Sequence, residues 1–255
     1  MERGKPSRTA YSAALYRAEH QVLDGASVLR DPLAVRLTGR RDRESRTALR
    51  LFIAMRSRFA EDALAAAVAR GTRRLVILGA GLDTFAYRNP YDNLDVVEVD
   101  HPDTQAWKRA RLREAGIEPP PSVHYQPVDF ERDALHIEPG AFVIWLGVVP
   151  YLTQAAIDAT LAAIPADVVF DYGMPPSSMP DDRRAGLEAR ADRVAGLGEP
   201  WRTFYRPAEL AEVLRERGFA VVEDLGPAQL AQRYLDRTDL PADTPGGHVI
   251  HARRG

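Results

Sequence analysis

The chain of 255 residues contains no cysteine. That rules out disulfides, thiolate metal sites and a cysteine nucleophile. Lysine occurs only at Lys5 and Lys108, so nearly every basic side chain is arginine. No apolar run approaches the ~18 residues of a membrane-spanning helix. The opening stretch MERGKPSRTAYS lacks the apolar core of a signal peptide. A net charge of −2 points to neither nucleic acid nor a membrane surface as partner. No cluster of His, Asp and Glu has the spacing of a metal site. The default expectation is a cytoplasmic location, for a globular protein, 45% hydrophobic and 27% charged, expected to be a monomer or homodimer. Its length suits one elaborated α/β domain or two small ones. The charge is uneven: residues 1–70 carry fourteen basic and eight acidic side chains, and the rest is net acidic. A basic segment beside an acidic domain suits an anionic ligand, although solvated surface charge fits equally well.

Residues 8–39 and 43–70 have helical texture and no strand-like run. Asp31 and Pro32 suit an N-cap and a first helical position; the second segment has apolar residues at helical spacing and stops at Gly71. From Arg73 onward short β-branched runs alternate with helical segments. The expected strands are 74–79, 95–100, 123–129, 141–147, 166–173, 219–226 and 247–254. Several are continuously apolar, as strands covered on both faces are. The pattern predicts an α/β fold: a doubly wound, mainly parallel, seven-stranded Rossmann-like sheet with an antiparallel edge. An N-terminal helical cap spans 1–70, and the core spans 71–255. Residues 174–205, opening with the loop GMPPSSMPDD, form an expected lid over the C-terminal edge of the sheet, where such sheets place ligands.

The first strand runs into LGAGLDTFAYR. Gly79 and Gly81 match the first two glycines of a dinucleotide turn, but the third position is Thr84. Asp83 or Thr84 can cap a following helix, yet Asn89-Pro90 ends it within about two turns. A short capped turn is a poor cradle for pyrophosphate and suits a ligand without phosphates. Asp100 closes the second strand 21 residues after Gly79, where an acid binds ribose hydroxyls. Glu98 shares its face.

LGAGLDTFAYR, EVDHP, VDF and WLGVVPYLT, preceded by MRSRFAEDAL, resemble the leucine carboxyl methyltransferase-type family. Its members are class I S-adenosylmethionine-dependent methyltransferases, including protein C-terminal carboxyl methyltransferases and bacterial members acting on polyketide-type acids. The resemblance runs from about Arg8 to Leu152 and continues weakly to the end. It implies S-adenosyl-L-methionine as cofactor. Gly79, Ala80 and Gly81 would lie against its amino-acid moiety, Asp100 on the ribose with His101 beside the nucleoside, and Asp129 and Phe130 at the adenine. An arginine before the sheet would grip the methionine carboxylate; Arg58 matches best and Arg56 is the near alternative, with Arg8 as a further basic residue. A guanidinium fork suits a carboxylate. Where relatives often carry Glu-Gly after the fourth strand, this chain has Leu146-Gly147.

A carboxylate acceptor, with a pKa near ~4, is ionised at neutral pH and needs no base; a phenol, near ~10, is helped by one. None of the six histidines sits in an obvious catalytic pattern. His20 in the cap is a candidate. This favours methyl esterification of a small, acidic molecule. A phenol or hydroxyl acceptor and a non-catalytic cofactor-binding module, the latter prompted by Leu146, are the alternatives. Tyr16, Arg17, Tyr151, Tyr172, Trp201, Arg202 and Tyr205 are candidates to line the acceptor pocket, with Arg17 or Arg202 as an anchor for an acid.

Overall fold

The computed structural model describes residues 7–39, 46–196 and 198–254. Lys5 and residues 43–45, where the second helical segment was expected to begin, lie outside them. Three helices come first: α1 (Arg8–Leu23), α2 (Pro32–Thr38) and α3 (Thr47–Ala69). Then follow β1 (Arg74–Leu78), β2 (Asp95–Asp100), α4 (Pro102–Glu114), β3 (Val123–Pro127), β4 (Phe142–Trp145), α5 (Gln154–Ala163) and β5 (Asp167–Gly173). The chain closes with α6 (Asp181–Ala195), α7 (Pro207–Glu216), β6 (Phe219–Leu225), α8 (Pro227–Leu235) and β7 (Gly247–Arg254).

Local chemistry sets most of the helix starts. Ser7 accepts from the Ala10 amide, Asp31 from Ala34 and Thr153 from Ala156, each satisfying an amide that the first turn leaves free. Helices α2, α4, α7 and α8 open on proline, whose missing N–H costs nothing at that position. After β1 the expected short helix is a single 3₁₀ turn, Phe85–Tyr87. The Asp83 side chain accepts from the Phe85 amide at 2.8 Å, and Asn89-Pro90 follows at once.

All seven expected strands form, in the order β3-β2-β1-β4-β5-β7-β6. Strands β1 to β5 pair in parallel. The reversed strand is β7, which pairs antiparallel with both β5 and β6, so the antiparallel edge consists of the last two strands together. Alternation along each strand divides the core in two. Val76, Val143, Phe170 and Ile250 face α5 and α7 through Ile157, Leu161, Leu210 and Leu214. Leu75, Ile77, Ile144 and Val249 face the other way, against Met55, Phe59 and Leu64 of α3 and Leu230 of α8. Helix α3, grouped by the sequence with the N-terminal cap, thus shares a core with the sheet. Its first half then runs past the C-terminal strand ends.

Candidate active site

The C-terminal ends of β1, β2, β4 and β5, together with α1, α3 and residues from 174–205, wall a cavity of about 750 Å³. That lies within the ~300–1,000 Å³ of small-molecule sites. Gly79 (φ +64°) and Gly81 (φ +44°) form its floor in left-handed backbone. A Cβ on Gly79 would sit 2.2 Å from Val148 Cγ2, and one on Gly81 2.8 Å from Ala10 Cβ. A third glycine, Gly147 after β4, would meet Arg56 Nη2 at 2.9 Å. These positions admit no side chain, and they bring bare backbone to the cavity.

The turn is fastened from the N-terminal side. Thr84, which breaks the dinucleotide pattern, is fully buried and donates its hydroxyl to Asp31 Oδ1 at 2.6 Å. Asp31 Oδ2 accepts from Arg17 Nε at 3.0 Å, and Arg17 Nη2 donates to the Leu82 carbonyl. Burial pushes the Asp31 carboxyl up, but the Arg17 and Arg88 charges and the Thr84 hydroxyl outweigh it, leaving its pKa below the usual value. Arg17 borders the cavity with its guanidinium already committed, so the expectation that it anchors an acid gives way to a structural role.

Asp100 stands at the end of β2, on the cavity wall. Its Oδ2 accepts from the Gly81 amide at 2.5 Å and its Oδ1 from His101 at 2.7 Å. Burial raises its pKa, opposed by those amides and by the Lys108 charge. Lys108, itself buried, donates to Glu98 at 2.7 Å. Tyr87 also donates to Glu98, at 2.9 Å. A buried charge needs such partners, and this network underlies the Asp100 end of β2. His101 lines the cavity as the N-cap of α4: its Nδ1 accepts from the Asp103 amide at 3.2 Å. That places the ring proton of the neutral side chain on Nε2. Asp129 and Phe130 lie on the same wall, with Asp129 Oδ1 capping the turn through the Glu131 amide.

The two candidate arginines of α3 separate. Arg58 does not line the cavity; it is about half exposed and pairs with Asp62 one turn on. Arg56 points inward and pairs with Asp171 of β5. Its Nε is a buried donor without a partner. Residues two apart on a helix point to nearly opposite faces, so of the two arginines the structure brings Arg56 to the cavity and turns Arg58, preferred from the sequence, away from it. Arg8 lines the cavity at the start of α1, where its backbone amide and that of Thr9 donate to Glu199 at 3.1 and 3.0 Å. Leu146, in the place of the usual acid, presents an apolar side chain beside Gly147. The carboxylate beside Gly147 is Asp171 of β5, which accepts from the Gly147 amide as well as from Arg56.

On the outer side, Tyr16, Tyr151, Trp201 and Arg202 line the cavity. Burial raises the Tyr151 pKa, and the neighbouring Trp201 and Thr9 oppose the rise. Tyr172 reaches the lining, but its hydroxyl donates to Asp224 at 2.6 Å. Tyr205 is buried in the core beneath, donating to Gln154 at 2.7 Å, and does not line the cavity. His20 is wholly buried outside the cavity. Its Nε2 accepts from the Val28 and Leu29 amides while Nδ1 donates to Asp24 at 2.8 Å. With both nitrogens occupied it is a structural residue. Sequence reasoning missed Asp171, Glu199 and Arg190. The signal for Asp171 was an acid in the otherwise apolar strand VVFDYG. The other two carry no motif.

Among the described residues no group of three or more His, Asp and Glu is placed to hold a metal, and no helix is long and apolar enough to cross a membrane.

Comparison with known proteins gives this cavity its context. Residues 10–165 match the family model "Leucine carboxyl methyltransferase". The chain belongs to the leucine carboxyl methyltransferase family. A Bacillus subtilis relative, 29% identical over 77% of this chain and 70% of its own length, bears the name "Putative S-adenosyl-L-methionine-dependent methyltransferase". A Mycobacterium tuberculosis relative of the same description is 34% identical over 76% of this chain and 53% of its own length. The chain thus spans about half the length of such mycobacterial relatives. Among solved structures, the magnesium protoporphyrin IX methyltransferase of Synechocystis with bound SAH has the same fold, with a TM-score of 0.54 at 13% identity over 95% of this chain and 99% of that one. Family, relatives and fold identify the chain as an S-adenosylmethionine-dependent methyltransferase, with S-adenosyl-L-methionine as its cofactor.

Proposed function

We propose that the chain methyl-esterifies a carboxylate of a small molecule. Arg56, the glycine turn 79–81, Gly147, Asp100, Asp129 and Phe130 would hold the cofactor. Three observations support the fit. The glycines leave bare backbone where the amino-acid end would lie. The orphaned Arg56 Nε is a buried donor suited to a carboxylate. Asp100 offers an acceptor to ribose hydroxyls at a distance from the turn set by its own bond to Gly81. When bound, S-adenosylmethionine supplies a methyl group on a sulfonium, activated for in-line displacement.

The observation that carries the acid over the phenol is the chemistry of the cavity wall. Its lining histidine among the described residues, His101, has Nδ1 engaged as a helix cap by the Asp103 amide. Tyr151 is kept protonated by burial. An acceptor already ionised needs no proton removed; the chain then has only to orient it and exclude water. Arginines on the outer wall suit its charge. The test is incubation with S-adenosylmethionine and a panel of paired carboxylic acids and phenols, followed by mass spectrometry and mild alkaline treatment. A product that gains one CH₂ and loses it in alkali is an ester. Transfer confined to phenols, giving alkali-stable ethers, would refute the acid reading.

A further inference from the structure

The inward face of α6 is unlike any other helix face around the cavity. Residues 183, 186, 187, 190, 193 and 194 line it, a spacing that puts them on one side of the helix. None of the residues of α6 is buried, so this face is not packed on a core. It carries Arg183, Arg190 and Arg193 around Gly186 and Leu187. Among the described residues none of these three arginines has an ion pair, whereas Arg184, which lies outside the lining, pairs with Asp181. The buried acid of the insertion, Glu199, is committed to the amides of Arg8 and Thr9.

Arg190 is the sharpest case. Its guanidinium carbon lies over the Trp201 ring, 5.1 Å from the centroid, a cation–π contact that uses none of its N–H donors. Burial lowers its pKa; Tyr151 and Tyr16 oppose this, and the nearby Arg46 and Arg56 charges add to it. A half-buried cation in such surroundings is unfavourable until an anion joins it. Arg56 already faces Asp171 beside the glycine cradle, whereas Arg190, on the insertion, has no carboxylate partner among the described residues.

We propose that Arg190, supported by Arg183 and Arg193, binds an anionic group of the acceptor other than the one that is methylated, so that the enzyme prefers a dicarboxylic acid and produces its monoester. This rests on the acid reading above and specifies which acids.

The experiment is calorimetric titration of the enzyme saturated with S-adenosylhomocysteine, using linear dicarboxylic acids of increasing length and the monomethyl ester of each. Wild type, Arg190→Gln and Arg190→Lys are compared, and the affinity of each for S-adenosylhomocysteine is measured first. At least one diacid is expected to bind wild type tenfold or more tightly than its monoester. Arg190→Gln should lose at least that tenfold with unchanged S-adenosylhomocysteine affinity, and Arg190→Lys should retain part of it. Equal binding of diacids and monoesters would overturn the inference while leaving monocarboxylate esterification standing. Absence of binding by every acid would overturn it too, with S-adenosylhomocysteine affinity still reporting separately on the cofactor site. Parallel loss of S-adenosylhomocysteine affinity in Arg190→Gln would assign the residue to the cofactor instead.

Discussion

The contrast between Arg56 and Arg58 makes the strictest test of the site. Both belong to the same RSR stretch, and either satisfies the sequence pattern. Arg56→Lys keeps a positive charge for the buried Asp171 but removes the unpartnered Nε donor and the planar fork. A hydrogen bond between charged groups contributes about 1.5–3 kcal/mol, and ~1.4 kcal/mol is tenfold in Kd. Arg56→Lys should therefore weaken S-adenosylhomocysteine, which has the same carboxylate, by roughly 10- to 150-fold in calorimetry. Arg58→Ala removes a pair whose side chains are 49% and 44% exposed. Such pairs contribute only ~0.3–0.5 kcal/mol, so its Kd should stay within about threefold of wild type. Similar losses in the two variants, or an unchanged Kd in Arg56→Lys, would refute the assignment. Thermal melts of both variants separate a local effect from a damaged fold.

Gly79→Ala and Gly25→Ala form a second comparison. Both glycines have positive φ, but a Cβ on Gly25 meets nothing within 4 Å, while one on Gly79 strikes Val148. Gly25→Ala should cost only the backbone term of ~1–2 kcal/mol; Gly79→Ala should add roughly 1–3 kcal/mol of overpacking and abolish cofactor binding, which denaturant titration and calorimetry would read. For the Asp31 lock, Thr84→Val should lower stability by about 1.5–3 kcal/mol through loss of a hydroxyl bond to a buried carboxylate. Because the folded pKa of Asp31 lies below its unfolded value, its contribution is complete above the unfolded pKa of ~3.9 and fades as pH falls through the folded value. Asp31→Asn should therefore be clearly destabilised at pH 7, with the gap to wild type narrowing below about pH 4; a gap independent of pH would count against an ionised Asp31.

The features legible in the sequence are those that local chemistry determines. The seven strands announced themselves by β-branched apolar runs, and Asp31, Pro32 and Pro102 by the needs of a helix start. Asp100 was found by its distance from the glycine turn. The choice between Arg56 and Arg58 was legible too, through helical phase. Leu49, Phe52, Ile53 and Arg56 share the cavity stripe of α3, while Arg58 falls beside Asp62 on the opposite side; a motif specifies the residue type and not this phase. His20 and Asp24, four apart on one helix, likewise spelled out a structural pair. What the sequence does not spell is contact between distant segments. Asp31 meets Thr84 across 53 positions, and Glu199 meets Arg8 across 191. Topology creates those contacts, and each side chain alone reads as an ordinary surface polar residue.

Thr84 shows how such a contact turns a broken motif into a working part. In a dinucleotide fold the third glycine lets a long helix pack on the strand, with its N-terminal amides facing the phosphates. Here the element after the turn is one 3₁₀ turn of three residues, too short to align a dipole. The residue in the third position instead bonds outward to Asp31 and draws α2 against the turn, while Arg17 pins Leu82 to α1. Helix α1 thereby approaches so closely that Ala10 would meet a Cβ on Gly81 at 2.8 Å. Its own N-terminus, which also borders the cavity, is filled by Glu199, whose carboxylate occupies the amides of Arg8 and Thr9. Two helix N-termini that would otherwise attract phosphate are thus unavailable, one shortened and one neutralised by an internal acid. Glu199→Gln should raise the affinity of inorganic phosphate for the cavity, and an unchanged phosphate affinity in calorimetry would show that Glu199 does not guard that terminus.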